Sequence, residues 1–140
     1  MNRLKKPGIE AFAAALILGI LIWIVFWFVS YIFSFTPVVE VTQVMTVYLQ
    51  TEVVLFGFVT IAFVYISKRQ DFEGGPSSTV ALIALFSHFF SILFGFLWIF
   101  GAFSSYSFVT FLPFSYTLIG ILSTIVFLEY SLFPTKTVKN

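Results

Sequence analysis

Long apolar runs separated by short polar or proline-bearing interruptions organise this chain, and each run is long enough for a helix to cross a bilayer. A hydrocarbon core about 30 Å thick needs ~20 helical residues, because lipid offers the backbone no hydrogen-bond partner and only a helix or closed barrel satisfies it internally. The pattern predicts four helices, over about 9–35, 42–67, 79–102 and 113–133. Pro7 suits the start of the first and Pro37 cannot continue it; Pro113 suits the first turn of the fourth and Pro134 lies just past its end. Thr42 and Ser77 or Ser78 are candidate caps for the second and third.

Within these runs, small and polar residues fall on defined faces. Ala11, Ala15 and Gly19 repeat every fourth residue in the first helix, a stripe that lets another helix approach closely. Trp23, Trp27 and the Tyr31 end are bulky and suit lipid or an interface. In the second helix, Thr46, Gln50, Val53, Gly57 and Thr60 share one face. Glu52 belongs to another, with Tyr48, Phe56 and Val59, so this helix has two polar sides. The third gathers Ala84, Ser87, His88, Ser91 and Gly95 on one face amid Phe, Leu and Ile. The fourth gathers Pro113, Thr117, Gly120 and Thr124, with Glu129 nearly opposite. Ala15, Gly19, Gly57, Ala84, Ser91, Gly95 and Gly120 are the candidate helix-packing positions.

Composition agrees with this pattern. Only 9% of residues are charged and the mean hydropathy is +1.07, where soluble domains carry roughly a quarter charged residues. At 140 residues the chain makes one domain, an all-α polytopic membrane protein with four helices in an antiparallel bundle. The apolar run from Ile9 exceeds the ~7–15 residues of a signal-peptide core, so it is expected to stay as the first helix. A net charge of +1 with no basic cluster excludes a nucleic-acid partner. The basic residues are Arg3, Lys5, Lys6, Lys68, Arg69, Lys136 and Lys139, confined to the two ends and the middle connection. The positive-inside rule then places the N- and C-termini in the cytoplasm of a multi-pass cell-membrane protein.

Candidate chemistry is sparse. Cysteine is absent, which removes thiol and iron–sulfur chemistry and thioether lipidation. One His cannot supply two axial imidazoles to a haem, and no His-plus-carboxylate spacing forms a helical metal motif. No cofactor and no enzymatic activity are expected. Three ionisable groups remain inside or near the spans: Glu52, His88 and Glu129. Counted from the cytoplasmic helix ends at ~1.5 Å per residue, they lie about 22, 13 and 7 Å deep. At those depths they form a candidate proton ladder whose steps water bridges unless the helices tilt. The plainer reading lets Glu129 reach the interface near Lys136, makes His88 an interhelical hydrogen-bonding group, and leaves Glu52 paired or protonated.

Short tails, short connections and small faces on every helix point to an accessory or scaffold subunit of a larger membrane complex. Its expected partners are lipid and other membrane protein subunits. The alternative is a proton-coupled small transporter or channel formed by a homo-oligomer around Glu52.

Overall fold

A computed structural model describes residues 6–33, 41–68, 76–100 and 111–132. They form the helices α1 (Lys6–Phe33), α2 (Val41–Ser67), α3 (Pro76–Ile99) and α4 (Phe111–Leu132). All four are long and apolar enough to span a membrane. The connections and both chain ends lie outside the described residues, and with them fall most of the basic residues, so the expected approach of Glu129 to Lys136 lies outside them as well.

Helix starts differ in an instructive way from the expected ones. α3 begins at Pro76 rather than Thr79, and α2 at Val41, so Ser77, Ser78 and Thr42 lie inside first turns instead of capping them. Proline has its φ preset for a first helical position and lacks only an N–H that would have had no partner there. Pro113 fits for the same reason, as the third residue of α4 among the donors a helix start leaves free.

α3 and α4 form the centre. α1 packs on both of them, α2 packs chiefly on α3, and the consecutive helices α1 and α2 make little contact with each other. Each central helix therefore presents two different faces. Toward α1 the contact is apolar and aromatic: Ala15, Phe90 and Tyr116 form a buried cluster extended by Leu16, Phe86 and Phe94. Phe94 stacks on the Tyr116 ring with centroids 5.4 Å apart, and Phe12 meets Phe86 edge-on at 5.3 Å. Gly19 makes this contact possible, since a Cβ there would fall 2.0 Å from Cε1 of Tyr116. The Tyr116 hydroxyl donates to the Leu16 carbonyl oxygen at 3.1 Å, which ties α1 to α4 by a hydrogen bond as well as by packing.

Toward α2 the contact is polar in the middle and apolar at one end. Ala81 and Phe127 form a second buried cluster with Ala62, Phe63 and Ile66 near the end of α2. Polar side chains occupy the turns above it. The outer surfaces are covered by Ile, Val, Leu and Phe, most densely on α1, where Ile9, Ile17, Leu21 and Val25 are all exposed.

Candidate functional site

Glu52 and His88 meet in the centre of the α2–α3–α4 contact. Their Oε2 and Nδ1 atoms are hydrogen bonded at 2.9 Å, and each side chain is only 1% exposed. A carboxyl group in such a place is costly unless it is paired and hydrogen bonded, and the imidazole supplies that pairing.

The ring is fixed on its other side by α4. Its Nε2 lies 3.4 Å from the Thr124 hydroxyl oxygen, a long contact. The Thr124 hydroxyl itself donates to the Gly120 carbonyl oxygen at 2.7 Å. A hydroxyl has one proton to give, so toward His88 Thr124 offers only a lone pair, and the proton on Nε2 is the one that fits. Nδ1 then either accepts from a Glu52 carboxylic acid or, in an imidazolium, donates to a Glu52 carboxylate. The two arrangements differ by the transfer of one proton along a single hydrogen bond, and the pair is net neutral in both. Gly120 leaves room for this ring, because a Cβ there would lie 2.8 Å from Cε1 and 2.9 Å from both ring nitrogens.

One turn away along each helix lies a second polar layer. The hydroxyls of Tyr48 on α2, Ser91 on α3 and Thr117 on α4 are mutually hydrogen bonded, with Ser91 Oγ and Thr117 Oγ1 2.8 Å apart. Thr117 also reaches the Pro113 carbonyl oxygen at 3.3 Å. Three hydroxyls share three protons among these four contacts, so when Thr117 donates to Pro113 it accepts from Tyr48 and Ser91. Beside these layers, the buried Ser87 Oγ has no hydrogen-bond partner among the described residues.

The structure therefore brings Glu52 and His88 into direct contact, so that step of the expected ladder needs no bridging water. Glu129 stands apart: it is exposed on α4 and makes no contact with the pair. Of the packing candidates, Ala15 and Gly19 face α4 and the aromatic cluster, Gly95 faces Leu49, Gly120 faces His88, and Ala84 and Ser91 are buried on α3. Among the described residues nothing packs on Gly57, since none lies within 4 Å of a Cβ placed on it. The physical reason is that α2 turns its Met45, Leu49, Glu52 and Val59 face inward, and Gly57 lies on its other polar side.

The hydroxyl triad is the feature that sequence reasoning missed. Its signal was present: Tyr48 precedes Glu52 by one turn, and Ser91 and Thr117 sit on the small faces of α3 and α4. Among the described residues, no group of three or more His, Cys, Asp or Glu side chains is placed to hold a metal ion. Comparison with protein-family models, curated proteins and solved structures finds no match to this chain.

Proposed function

We propose that the four helices cross a cell membrane as an antiparallel bundle with both termini in the cytoplasm. On this reading the protein serves as an accessory or scaffold subunit of a larger membrane complex. The order of contacts supports the bundle: His88 meets Gly120 and Thr124, while Ser91, further along α3, meets the earlier Thr117 on α4. The distribution of the seven basic residues supports the sidedness. Since the chain has no native cysteine, cysteines introduced at Gly75 and Asn140 are expected to react with an impermeant thiol reagent only from the cytoplasmic side. One at Ser105 is expected to react only from outside, and any other pattern breaks this topology.

One observation carries the subunit reading. The intramembrane acid is consumed inside the chain by His88, so what the protein offers its surroundings is helical surface rather than a reactive group. An inward Glu52 is poorly suited to lining a pore between several copies. Mild detergent extraction from native membranes is expected to retain unrelated membrane subunits in a fixed ratio. Recovery of this chain with lipid alone would count against a subunit role.

A second reading, a proton-coupled small transporter, draws on a different observation. The Glu52–His88 pair and the Tyr48–Ser91–Thr117 layer are stacked in one seam within a single chain. Such a seam offers exchangeable protons at successive depths. Its mark would be pH-gradient-driven proton flux in vesicles of purified protein that disappears in Glu52→Gln while the fold is retained.

A further inference from the structure

A second polar side of α2 faces away from Glu52 and is exposed at Thr46, Gln50 and Val53. Thr46, Gln50, Val53, Gly57, Thr60 and Val64 recur at alternating steps of four and three, the spacing of a seam between two supercoiled helices. They lie roughly a quarter-turn from the buried face. Thr46 and Gln50 are exposed, Val53 and Val64 are each 50% exposed, and Gly57 faces open space. Thr60 satisfies its own hydroxyl by donating to the Phe56 carbonyl oxygen at 2.7 Å.

Gln50 is the residue that calls for a partner. It lies six residues inside the apolar span Val44–Ser67, about 9 Å from its end at ~1.5 Å per residue. An amide carries two donors and an acceptor, and leaving such a group unbonded in hydrocarbon costs several kcal/mol on a roughly 4–8 kcal/mol scale. Lipid tails cannot satisfy it.

We propose that this seam is occupied by α2 of a second copy of the same chain, with Gln50 hydrogen bonded to the partner's Gln50. The proposal rests on the membrane-spanning reading above and not on the subunit role. Two copies inserted with the same sidedness and related by a twofold axis along the membrane normal place their α2 helices parallel and at equal depth. A residue on the seam then faces its own counterpart. An amide is suited to that position because its N–H group and its carbonyl can each meet the other kind on an identical side chain. An unmatched charge would oppose such self-pairing, and the only charged residue of α2, Glu52, is turned inward and bonded to His88. Gly57, one heptad below Gln50, leaves space for the backbones to approach. The buried Asn of soluble dimeric coiled coils sets register in the same way.

The cysteine-free chain makes the test direct. Single cysteines are placed along α2 and the membranes treated with a membrane-permeant oxidant. Val53→Cys and Gly57→Cys are expected to give disulfide-linked dimers, and Thr51→Cys, Leu55→Cys and Phe58→Cys, on the side of α2 away from the seam, are not. Purified in mild detergent, Gln50→Leu is expected to self-associate roughly tenfold more weakly than the native chain, the worth of one interhelical hydrogen bond at ~1–2 kcal/mol. Gln50→Asn is expected to recover most of the loss. Equal cross-linking around the helix, cross-links to other proteins in place of the dimer, or unchanged association of Gln50→Leu would overturn the seam. Release of the chain by an alkaline wash would instead overturn the membrane reading, and the seam with it.

Discussion

Replacing His88 by leucine is expected to destabilise the fold by about 3 kcal/mol or more, and replacing Glu52 by leucine to do the same. Removing one member of a buried pair strands the other, and a stranded buried charge costs roughly 3–5 kcal/mol. A neutral group left without its hydrogen bond costs only about 1–3 kcal/mol. The double variant Glu52→Leu with His88→Leu is expected to recover most of the loss, because an apolar replacement of both partners leaves nothing unsatisfied. Unfolding in mixed micelles, read as a double-mutant cycle, gives the coupling directly. Additive losses would mean that the 2.9 Å contact does not hold α2 to α3.

The second large effect is expected at Gly19. Overpacking a well-filled core costs typically about 1–3 kcal/mol, and Gly19→Ala is expected at or above the top of that range. Its Cβ would fall 2.0, 2.3 and 2.5 Å from three atoms of the Tyr116 ring. That ring cannot step aside, being stacked on Phe94, packed on Phe90 and bonded through its hydroxyl to Leu16. Gly95→Ala is the control: its nearest neighbour is the Cδ2 end of Leu49 at 2.6 Å, which can move by a change of rotamer. It is expected to cost under about 1 kcal/mol. Placing Gly19→Ala in a Tyr116→Leu background should shrink its cost, since a smaller and more flexible side chain then faces the new methyl. Equal effects at Gly19 and Gly95 would mean that α1 does not dock on α4 as described.

The four helices were legible in the sequence because nothing but apolar length is needed to mark them; Pro7 and Pro113 fall in first turns, while the expected stops at Pro37 and Pro134 lie outside the described residues. The meeting of Glu52 and His88 was not. Depth was counted from an assumed start at Thr79, and moving that start back to Pro76 carries His88 about 4.5 Å deeper, close to the level of Glu52. Nor could the inward side of α2 be chosen from periodicity, which finds both its polar sides equally well. What decides between them is the opposite helix. Burial of a carboxyl group requires a partner, and α3 offers an imidazole at that level, whereas Gln50 finds none within the chain's described residues. Gly57 is small enough for the helix packing expected of it, but among the described residues nothing lies within 4 Å of a Cβ there.

The weak contact between α1 and α2 bears on how the protein is made. The first two helices have little to hold them to each other, and the partner of Glu52 is 36 residues further along the chain. At a synthesis rate of roughly 5–20 residues per second, Glu52 waits about 2–7 s for His88 to emerge. Throughout that interval the nascent N-terminal half presents an unpaired acid and the Tyr48 hydroxyl to its surroundings. On the proposed membrane-spanning reading, a chain interrupted between the two halves leaves those groups exposed, while the finished chain pairs Glu52 with His88 and Tyr48 with Ser91 and Thr117.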